Sequence, residues 1–257
     1  MTLEKMDRLS VVIITRNEEN NIDRCLRSVK DIADEIVVVD AMSTDKTVEI
    51  CKKYGAKVYE REWDDFSSQK NYANDKATEE YIFSIDADEE LTEELKKSIL
   101  RKKADGLGER IAYETKRLTY FCGNPVKHCG WYPDKKVRLW KKSECRWKGL
   151  VHEKLEFDMP VKTETLNGDL NHYTITDLSQ QISKIMTYAD YRIETLEKEN
   201  KLYKPTVFKI IMKPIAKFIS IYFVKLGILD GYTGYVIAKN SAFARFFFLS
   251  KLRMIKK

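Results

Sequence analysis

Three apolar runs near the start of the sequence most constrain its fold, because each is six residues long and is followed by polar side chains. The runs are SVVIIT at 10–15, EIVVVD at 35–40 and YIFSID at 81–86. Continuous apolar runs of this length are typical of strands that are buried on both faces, as in parallel α/β sheets. Segments with helical spacing separate the runs, so the sequence predicts strand–helix–strand units with right-handed crossovers.

Polar side chains stand at the end of each predicted strand. Thr15 begins the segment TRNEEN, Asp40 closes the second run, and Asp86 and Asp88 lie one residue apart after the third. The carboxyl ends of parallel strands meet at one edge of a sheet, where open α/β sheets bind ligands. Two neighbouring carboxylates repel each other, so a divalent cation completed by substrate phosphates is expected between them. The alternative is a solvated acidic turn, which the following Glu89 favours.

The segment after the first strand contains no glycine, and neither G-x-x-x-x-G-K nor G-x-G-x-x-G occurs in the sequence. No backbone nest for a phosphate is therefore expected, which disfavours a P-loop kinase or a dinucleotide dehydrogenase. The charge of a diphosphate would be met by a metal at Asp88, helped by Lys70 and Arg138. Asp40 suits the ring N–H of a uracil edge, and residues 15–18 could contact the base or its ribose.

The pattern changes in the second half of the sequence. Short runs broken by Gly and Pro over 111–173 predict antiparallel strands, and helical spacing over 177–199 predicts a long helix. Residues 204–257, here called the tail, carry eleven Lys or Arg against a single acid, Asp230. The tail thus has a net charge of +10 and the rest of the chain −4. This asymmetry indicates an anionic surface as a partner.

The tail is too interrupted to cross a bilayer, because its longest apolar run, 218–224, is far short of the roughly 20 residues required. A basic helix with a broad apolar face suits the membrane interface, and Pro214 and the glycines of 227–234 are expected to divide it. The alternatives are packing on the rest of the chain or on a second copy, which would give a homo-oligomer. Nucleic acid is disfavoured, because no recognised binding motif accompanies the charge.

The first residues and the cysteines predict where the protein resides. The start, MTLEKMDRLS, has no apolar core of signal-peptide length. The five cysteines are odd in number and scattered, which suits free thiols in a reducing compartment. We expect a cytoplasmic protein that lies peripherally on the inner face of the cell membrane.

Several motifs together resemble the inverting glycosyltransferases of family 2, which have the GT-A fold. They are VVIITRNEENNIDRCLRSV, EIVVVDAMSTDKT, FSSQKNYA and FSIDADEEL, while GWYPDKKVRLWKK and WKGLVHEKL look like the lipopolysaccharide core β-1,4-glucosyltransferases. The resemblance implies an α/β fold with a Rossmann-like, mostly parallel sheet, helices on both faces and a C-terminal helical extension. The expected domains are a catalytic domain over 1–175, a connecting helix over 176–203 and the basic amphipathic tail.

The resemblance also implies site residues, including a D-x-D motif at Asp86 and Asp88. Asp88 would be the direct metal ligand, and His152 would be a further ligand to metal or diphosphate. Imidazole is a better donor to Mn²⁺ than to Mg²⁺, so a ligating His152 would favour manganese. The residues that the resemblance implies for binding the nucleotide sugar are Thr15, Asn17, Glu18, Asp40, Lys70 and Asp86. Arg138 is added to them because of its charge.

An inverting transfer needs one carboxylate to take the proton of the acceptor hydroxyl as it attacks the anomeric carbon. Glu153, next to His152, is the first candidate for this general base. Asp134 is the second, because the aromatic residues before it could stack on a sugar. Either could instead be a surface carboxylate paired with a lysine.

Two other groups of residues invite a metal interpretation. Cys122, His128 and Cys129 fit no standard zinc spacing and lack an evident fourth ligand, so they are interpreted as ordinary loop residues. His172 lies in a predicted strand and is interpreted as a structural histidine.

The sequence therefore predicts a metal-dependent inverting glycosyltransferase. Its donor would be a UDP-sugar, with glucose favoured, and its acceptor a lipid-linked saccharide such as lipopolysaccharide core, with Mg²⁺ or Mn²⁺ as cofactor. A sugar-phosphate nucleotidylyltransferase is one alternative, although that class resembles proteins with a glycine-rich first loop. A non-catalytic membrane adaptor with a degenerate nucleotide pocket is the other, and the intact aspartates argue against it.

Overall fold

The computed structural model describes residues 7–149 and 153–255. Apolar, β-branched runs form the inner strands of its main sheet, as their composition predicts. The strands are β1 (Leu9–Thr15), β2 (Glu35–Asp40), β3 (Lys57–Glu60), β4 (Tyr81–Asp86), β5 (Glu89–Leu91), β6 (Ile111–Phe121), β7 (Asn124–Pro125), β8 (Asp134–Lys141), β9 (Cys145–Lys148), β10 (Lys154–Phe157) and β11 (Lys162–Ile175).

Helices connect the parallel strands and make up most of the chain after β11. They are α1 (Ile22–Val29), α2 (Thr47–Lys53), α3 (Phe66–Lys76), α4 (Glu93–Asp105), α5 (Leu178–Lys198), α6 (Val207–Ile219) and α7 (Gly231–Met254). Shorter helical turns cover Lys142–Glu144 and Gly227–Asp230, and a π-helical turn covers Ser220–Val224. Side chains of Asp65, Thr92, Asp177 and Thr206 cap the first turns of α3, α4, α5 and α6.

The main sheet is parallel on one side and antiparallel on the other. Its order is β3-β2-β1-β4-β8-β6-β11-β5, with β7 on β6 and a separate hairpin of β9 and β10. The first four strands of this order are parallel, whereas the pairs β4–β8, β8–β6 and β11–β5 are antiparallel. Thr15 is opposite Asp40 and Ile14 is opposite Asp86, so the ends of β1, β2 and β4 share one edge.

Apolar side chains cover both faces of the parallel strands, because successive residues of a strand point in opposite directions. On one face, Ile13 packs in a cluster with residues of α1 and α4. On the other face, Val12 packs with Ala73 of α3 and with two tryptophans, Trp140 and Trp147, whose rings meet edge to face. The predicted α/β sheet with helices on both faces and a helical C-terminal segment is confirmed.

The chain divides into two compact units. Within the described residues, the first comprises 7–117, 134–149 and 153–172, and the second 118–133 and 173–255. The predicted catalytic domain, 1–175, includes 118–133, which this division groups with the tail, and the predicted domain bounds stay a prediction. In the second unit, Val126 and Cys129 of the loop share a core with Ile221 and Ile237.

The second unit corrects one expectation about the tail. Pro214 was predicted to divide the first tail helix, but α6 runs through it. A proline inside a helix removes one backbone donor and costs about 3 kcal/mol, yet α6 stays continuous from Val207 to Ile219. The other predicted division, at the glycines of 227–234, is present: the preceding helical segment ends at Leu226, whose φ of 55° is left-handed, directly before Gly227. Among the described residues, no helix combines the length and the apolar character needed to cross a membrane.

Candidate active site

A pocket of about 440 Å³ lies in the first unit, where β1 and β4 end. Its floor comes from the strand ends, and α3 and the segment before β10 supply its sides. The residues that line it are Ile14, Thr15, Arg16, Glu18, Trp63, Phe66, Lys70, Asp86, Ala87, Asp88, Glu153 and His172. Five predicted site residues that lie far apart in the sequence thus meet, namely Thr15, Glu18, Lys70, Asp86 and Asp88, together with the first candidate base, Glu153.

Beneath this pocket, a buried arginine holds two carboxylates. Arg138 is 3% exposed, and its Nη2 donates to Asp86 at 2.9 Å and to the fully buried Glu89 at 2.5 Å. Glu89 also accepts the backbone N–H of Asp86 at 3.0 Å. This network fixes the end of β4. Arg138 does not line the pocket, so its predicted contact with a diphosphate stays a prediction that its burial does not favour.

The charges of this network shift the acidities of its members. Burial alone would raise the pKa of Asp86, but the charges of Arg138 and Lys70 outweigh it and hold that pKa well below its usual range. Burial raises the pKa of Glu89 even though Arg138 opposes the shift. Arg138 and Lys70 therefore keep Asp86 ionised beside the pocket, where its carboxylate can attract a metal ion or a ligand hydroxyl.

Asp88 has a histidine as its neighbour. The Nε2 of His172, on β11, lies 3.4 Å from Oδ2 of Asp88, and both side chains are partly exposed to the pocket. His172, interpreted from the sequence as a structural histidine, thus lines the pocket. The pairing of β11 with β5, which sets His172 opposite Glu89, brings it to the site.

An imidazole nitrogen beside a carboxylate is a donor set that suits a transition-series divalent cation. Within residues 7–149 and 153–255, no three His, Cys, Asp or Glu side chains already form a complete metal site. Asp88 and His172 could therefore hold a metal only if phosphate oxygens or water completed its coordination. His152, the other predicted ligand, lies outside the described residues.

Lys70 and Glu153 form the opposite side of the pocket. Lys70 is 6% exposed, and its Nζ lies 3.0 Å from Glu153 Oε1, 3.6 Å from Asp86 Oδ1 and 4.6 Å from the centre of the Trp147 ring. The ammonium group of Lys70 thus contacts the carboxylates of both Asp86 and Glu153. Because a buried lysine is costly without such partners, Lys70 fixes Glu153 at the pocket wall.

Helix α3 also holds β9, the strand of the hairpin that precedes Glu153. The side-chain amide of Asn71 donates to the carbonyl of Trp147 at 2.9 Å and accepts its N–H at 3.0 Å. Ser67 Oγ donates to the carbonyl of Gly149 at 2.5 Å. Lys70 lies between Ser67 and Asn71 on the same helix, so α3 positions both the cation and the strand that leads to the carboxylate.

Asp134, the second candidate for the base, lies elsewhere. It pairs with Arg117 at 2.6 Å across the β6–β8 register and with Lys136 at 3.2 Å. Burial opposes ionisation, but the charge of Arg117 outweighs it and lowers the pKa of Asp134. Asp134 does not line the pocket and is committed to two cations, so the structure favours the alternative that it is a paired structural carboxylate.

Asp40 reaches the expected edge but not the pocket. It is 1% exposed, and its two oxygens accept the backbone N–H and the hydroxyl of Ser43 at 2.7 and 2.5 Å. The expectation that Asp40, Asp86 and Asp88 converge thus holds for the strand ends, while the Asp40 carboxylate is turned into the loop after β2. Contact of Asp40 with a base stays a prediction.

The loop after β1 is built by its own side chains. Asn17 has a left-handed φ of 54°, and its amide oxygen accepts the N–H of Thr44 at 2.8 Å. Asn17 therefore braces two loops and does not line the pocket. In contrast, Thr15 Oγ1 is buried at the pocket with no hydrogen-bond partner among the described residues. A ligand hydroxyl or carbonyl could satisfy it, as buried polar atoms require.

Cys122, His128 and Cys129, which fit no standard zinc spacing, lie in the second unit. His128 Nδ1 lies 2.8 Å from Asp230 Oδ1, and Cys129 Sγ contacts the same carboxylate at 3.7 Å. All five cysteines are free thiols. Burial raises the pKa of Cys129 to about 12, so this thiol is a poor source of the thiolate that zinc binds.

A pocket at the carboxyl ends of parallel strands, with paired carboxylates, a histidine and a lysine, is typical of α/β enzymes that bind phosphorylated ligands. The chain belongs to glycosyl transferase family 2, whose model matches residues 10–128. It is 34% identical to an uncharacterised glycosyltransferase of Rickettsia typhi, over 96% of this chain and 87% of that protein.

Two further proteins are similar at lower identity. The lipopolysaccharide core biosynthesis glycosyltransferase LpsC of Rhizobium meliloti is 26% identical over 95% of this chain and 91% of that protein. Glucosyl-3-phosphoglycerate synthase of Mycobacterium tuberculosis, solved with Mn²⁺, UDP and its product, superposes with a TM-score of 0.37 at 22% identity, over 44% of each chain. The predicted glycosyltransferase activity and family are confirmed.

Proposed function

We propose that this protein is a metal-dependent inverting glycosyltransferase that moves a sugar, with glucose favoured, from a UDP-sugar to a lipid-linked saccharide. One observation carries the proposal: Asp88 with His172 and Glu153 with Lys70 face the same 440 Å³ pocket at the end of β1 and β4. The two pairs divide the chemistry. The first suits the donor diphosphate and the second suits the acceptor hydroxyl.

The donor end of the site is formed by residues from β1, β4 and β11. Asp88 and His172 would hold a divalent cation, Mg²⁺ or Mn²⁺, completed by diphosphate oxygens. When bound, such a cation stabilises the negative charge of the departing UDP. Thr15 Oγ1, which has no partner among the described residues, would accept or donate a hydrogen bond to the nucleoside.

Glu153 is proposed as the general base. The acceptor oxygen forms a bond to the anomeric carbon while the bond from that carbon to the diphosphate oxygen breaks. The proton of the acceptor hydroxyl passes to the carboxylate of Glu153, and the electron pair of the broken bond leaves with UDP. A single displacement of this kind inverts the anomeric centre and uses one carboxylate. Lys70 orients that carboxylate through its 3.0 Å contact.

The nature of the acceptor is supported by two observations. The similar protein from Rhizobium meliloti is named for lipopolysaccharide core biosynthesis. The tail has a net charge of +10 and exposes many large apolar side chains, which suits an anionic membrane surface. We infer that the enzyme works peripherally at the cytoplasmic face, where a nucleotide sugar and a lipid-linked acceptor can meet.

The rate of sugar transfer by the variants Asp88→Ala and His172→Ala tests this proposal. Purified protein is given radiolabelled nucleotide sugars with membrane extract as acceptor, with Mn²⁺ or Mg²⁺ titrated after chelation. Asp88→Ala is expected to lose about a thousandfold or more in rate, because several kcal/mol of charge stabilisation are lost. His172→Ala is expected to need a higher concentration of metal for the same rate.

The same preparation separates the alternatives. Unchanged transfer by Asp88→Ala from every UDP-sugar would contradict the proposal. Release of pyrophosphate from UTP and a sugar phosphate would identify a nucleotidylyltransferase instead. Absence of UDP binding by calorimetry, together with absence of turnover of any donor, would identify an adaptor with a degenerate nucleotide pocket.

A further inference from the structure

Two aromatic side chains line the candidate active site and have no role in the transfer steps proposed for it. Trp63 follows β3 and Phe66 begins α3, and both line the 440 Å³ pocket. They are 41% and 45% exposed. Within the described part of the first unit, the other exposed large apolar side chains are those of Met42 and Met159, and neither lines the pocket. The exposed aromatic rings of this part of the unit thus coincide with its candidate active site.

The segment that carries the two rings is held by side chains near the start of α3. The amide of Gln69, which is 1% exposed, donates to the carbonyls of Arg61 and Glu62 at 3.3 and 3.2 Å. The Asp65 carboxylate caps the first turn of α3. Because the backbone is fixed on both sides of Trp63, the rings are presented to the pocket by an ordered segment.

The two rings form a corner, here called the aromatic corner. The centres of the Trp63 and Phe66 rings lie 4.8 Å apart, and their planes meet at 84°, edge to face. In this geometry each ring covers only part of the other, so aromatic surface stays open to the pocket. Apolar surface in contact with water is unfavourable, and a ligand that packs on it removes that cost.

The aromatic corner lies on the side of the pocket that is proposed for the acceptor. Phe66 precedes Lys70 by four residues, so both side chains lie on one face of α3. Lys70 contacts Glu153, the proposed general base, at 3.0 Å. The donor has partners elsewhere, because its diphosphate is assigned to Asp88 and His172 and its nucleoside to the end of β1. The aromatic corner is therefore left for the acceptor.

A sugar ring has the chemistry that such a surface selects. A pyranose carries its hydroxyl groups around the edge and C–H bonds on its faces. One face can pack on an aromatic ring, whose face is electron-rich, while a hydroxyl at the edge reaches a carboxylate. Trp63 and Phe66 are uncharged, so the corner suits a neutral ring and not a phosphate. Aromatic walls with a few well-placed polar groups are typical of small-molecule sites.

We propose that Trp63 and Phe66 form a stacking subsite for the acceptor sugar, the ring whose hydroxyl loses its proton to Glu153. The inference rests on the proposed function and deepens it. It assigns the part of the acceptor that the pocket recognises, which is the sugar ring next to the new bond and not the lipid.

The test measures the acceptor and the donor separately in the transfer assay. Membrane extract is varied at saturating UDP-glucose, and UDP-glucose is varied at saturating extract. Trp63→Ala is expected to raise the amount of extract needed for half the maximal rate about tenfold. The KM for UDP-glucose and the calorimetric affinity for UDP should be unchanged, because the donor does not contact the corner.

Three further variants show whether the aromatic face is what matters. Trp63→Phe keeps an aromatic face and should stay within about threefold of the unmodified protein, whereas Trp63→Leu should resemble Trp63→Ala. Tyr59→Ala is the matched control and should leave the extract dependence unchanged. Tyr59 makes the same kind of edge-to-face contact, with Tyr72 of α3, but neither of these tyrosines lines the pocket.

A binding measurement separates this inference from the proposed function. The saccharide fraction of the extract, freed of lipid, is titrated by calorimetry in the presence of UDP, and Phe66→Ala should bind it about tenfold more weakly. Because no transfer is needed, this result would stand even if the unmodified protein transferred no sugar, which would overturn the proposed function alone. Unchanged binding by Phe66→Ala, or no binding by the unmodified protein, would overturn the subsite.

The remaining outcomes also decide the assignment. Weaker UDP binding by Trp63→Ala would place the nucleobase on the rings and overturn the acceptor subsite. Full activity of Trp63→Leu would reduce the contact to apolar burial without stacking. An equal change in Tyr59→Ala would show a general loss of packing around α3, and either result would overturn the inference.

Discussion

Replacing Arg138 with methionine should destabilise the first unit more than any surface substitution. The change removes a guanidinium that contacts both Asp86 and Glu89 while keeping an unbranched apolar side chain. It leaves Glu89, which is fully buried, with a longer hydrogen bond from Arg117, at 3.4 Å, in place of the 2.5 Å bond from Arg138. Removing one partner of a buried ion pair costs about 3–5 kcal/mol in the free energy of unfolding.

The cost should depend on pH in a defined direction. In the native protein the pKa of Asp86 is lowered, so its ionisation stabilises the fold above the unfolded pKa and that contribution is lost as pH falls. Without Arg138, the pKa of each carboxylate should be higher than in the native protein, because the largest charge that opposes burial is removed. Their ionisation then favours folding less above the unfolded values near 4, so the loss of stability should be larger at pH 7.5 than at pH 5.

Urea denaturation monitored by tryptophan fluorescence measures this loss, since Trp140 and Trp147 are buried in the same unit. Arg146→Met is the matched control, because Arg146 pairs with Asp75 at 3.0 Å on the surface. That exposed pair should be worth no more than about 1 kcal/mol. The reasoning would be refuted if Arg138→Met cost no more than the control, or cost the same at both pH values.

Two further substitutions test the base and the backbone. Glu153→Gln should lower kcat by about 10²–10⁴-fold with UDP affinity retained, whereas Asp134→Asn, outside the pocket, should change kcat only a few-fold. Equal losses in steady-state transfer assays would reject Glu153 as the general base. Gly168→Ala should lower the melting temperature more than Gly55→Ala, although both glycines have positive φ. A Cβ at Gly168 would lie 2.3 Å from the backbone nitrogen of Leu95, whereas a Cβ at Gly55 would meet nothing within 4 Å. Similar shifts in thermal unfolding would contradict this.

The parallel part of the fold is predictable from the sequence, because long apolar runs leave little choice of secondary structure. The predicted strands at 10–15, 35–40 and 81–86 are β1, β2 and β4, each within one residue. The meeting of Asp86, Asp88 and Thr15 follows from the rule that parallel strands share an edge. These conclusions need only local patterns and one topological rule.

The remaining site depends on pairings that local patterns do not encode. His172 reaches Asp88 only because β11 pairs with β5, across about eighty residues of sequence. Asp134 is neutralised by Arg117 through the register of β6 and β8, which its own neighbours in sequence cannot reveal. The position of the Asp40 carboxylate was easier to predict from the sequence, because Ser43, three residues later, is a common hydrogen-bond partner in such a turn.

The bond between Asn71 and the hairpin has a structural consequence beyond the site. An amide side chain that satisfies both the N–H and the carbonyl of Trp147 does the work of a neighbouring strand. The open edge of the β9–β10 ribbon is therefore closed at that residue and is not offered to another chain, which lowers the risk of edge-to-edge aggregation. A two-stranded ribbon is marginal by itself in water, and the contact with α3 keeps this one ordered beside Glu153, the proposed general base.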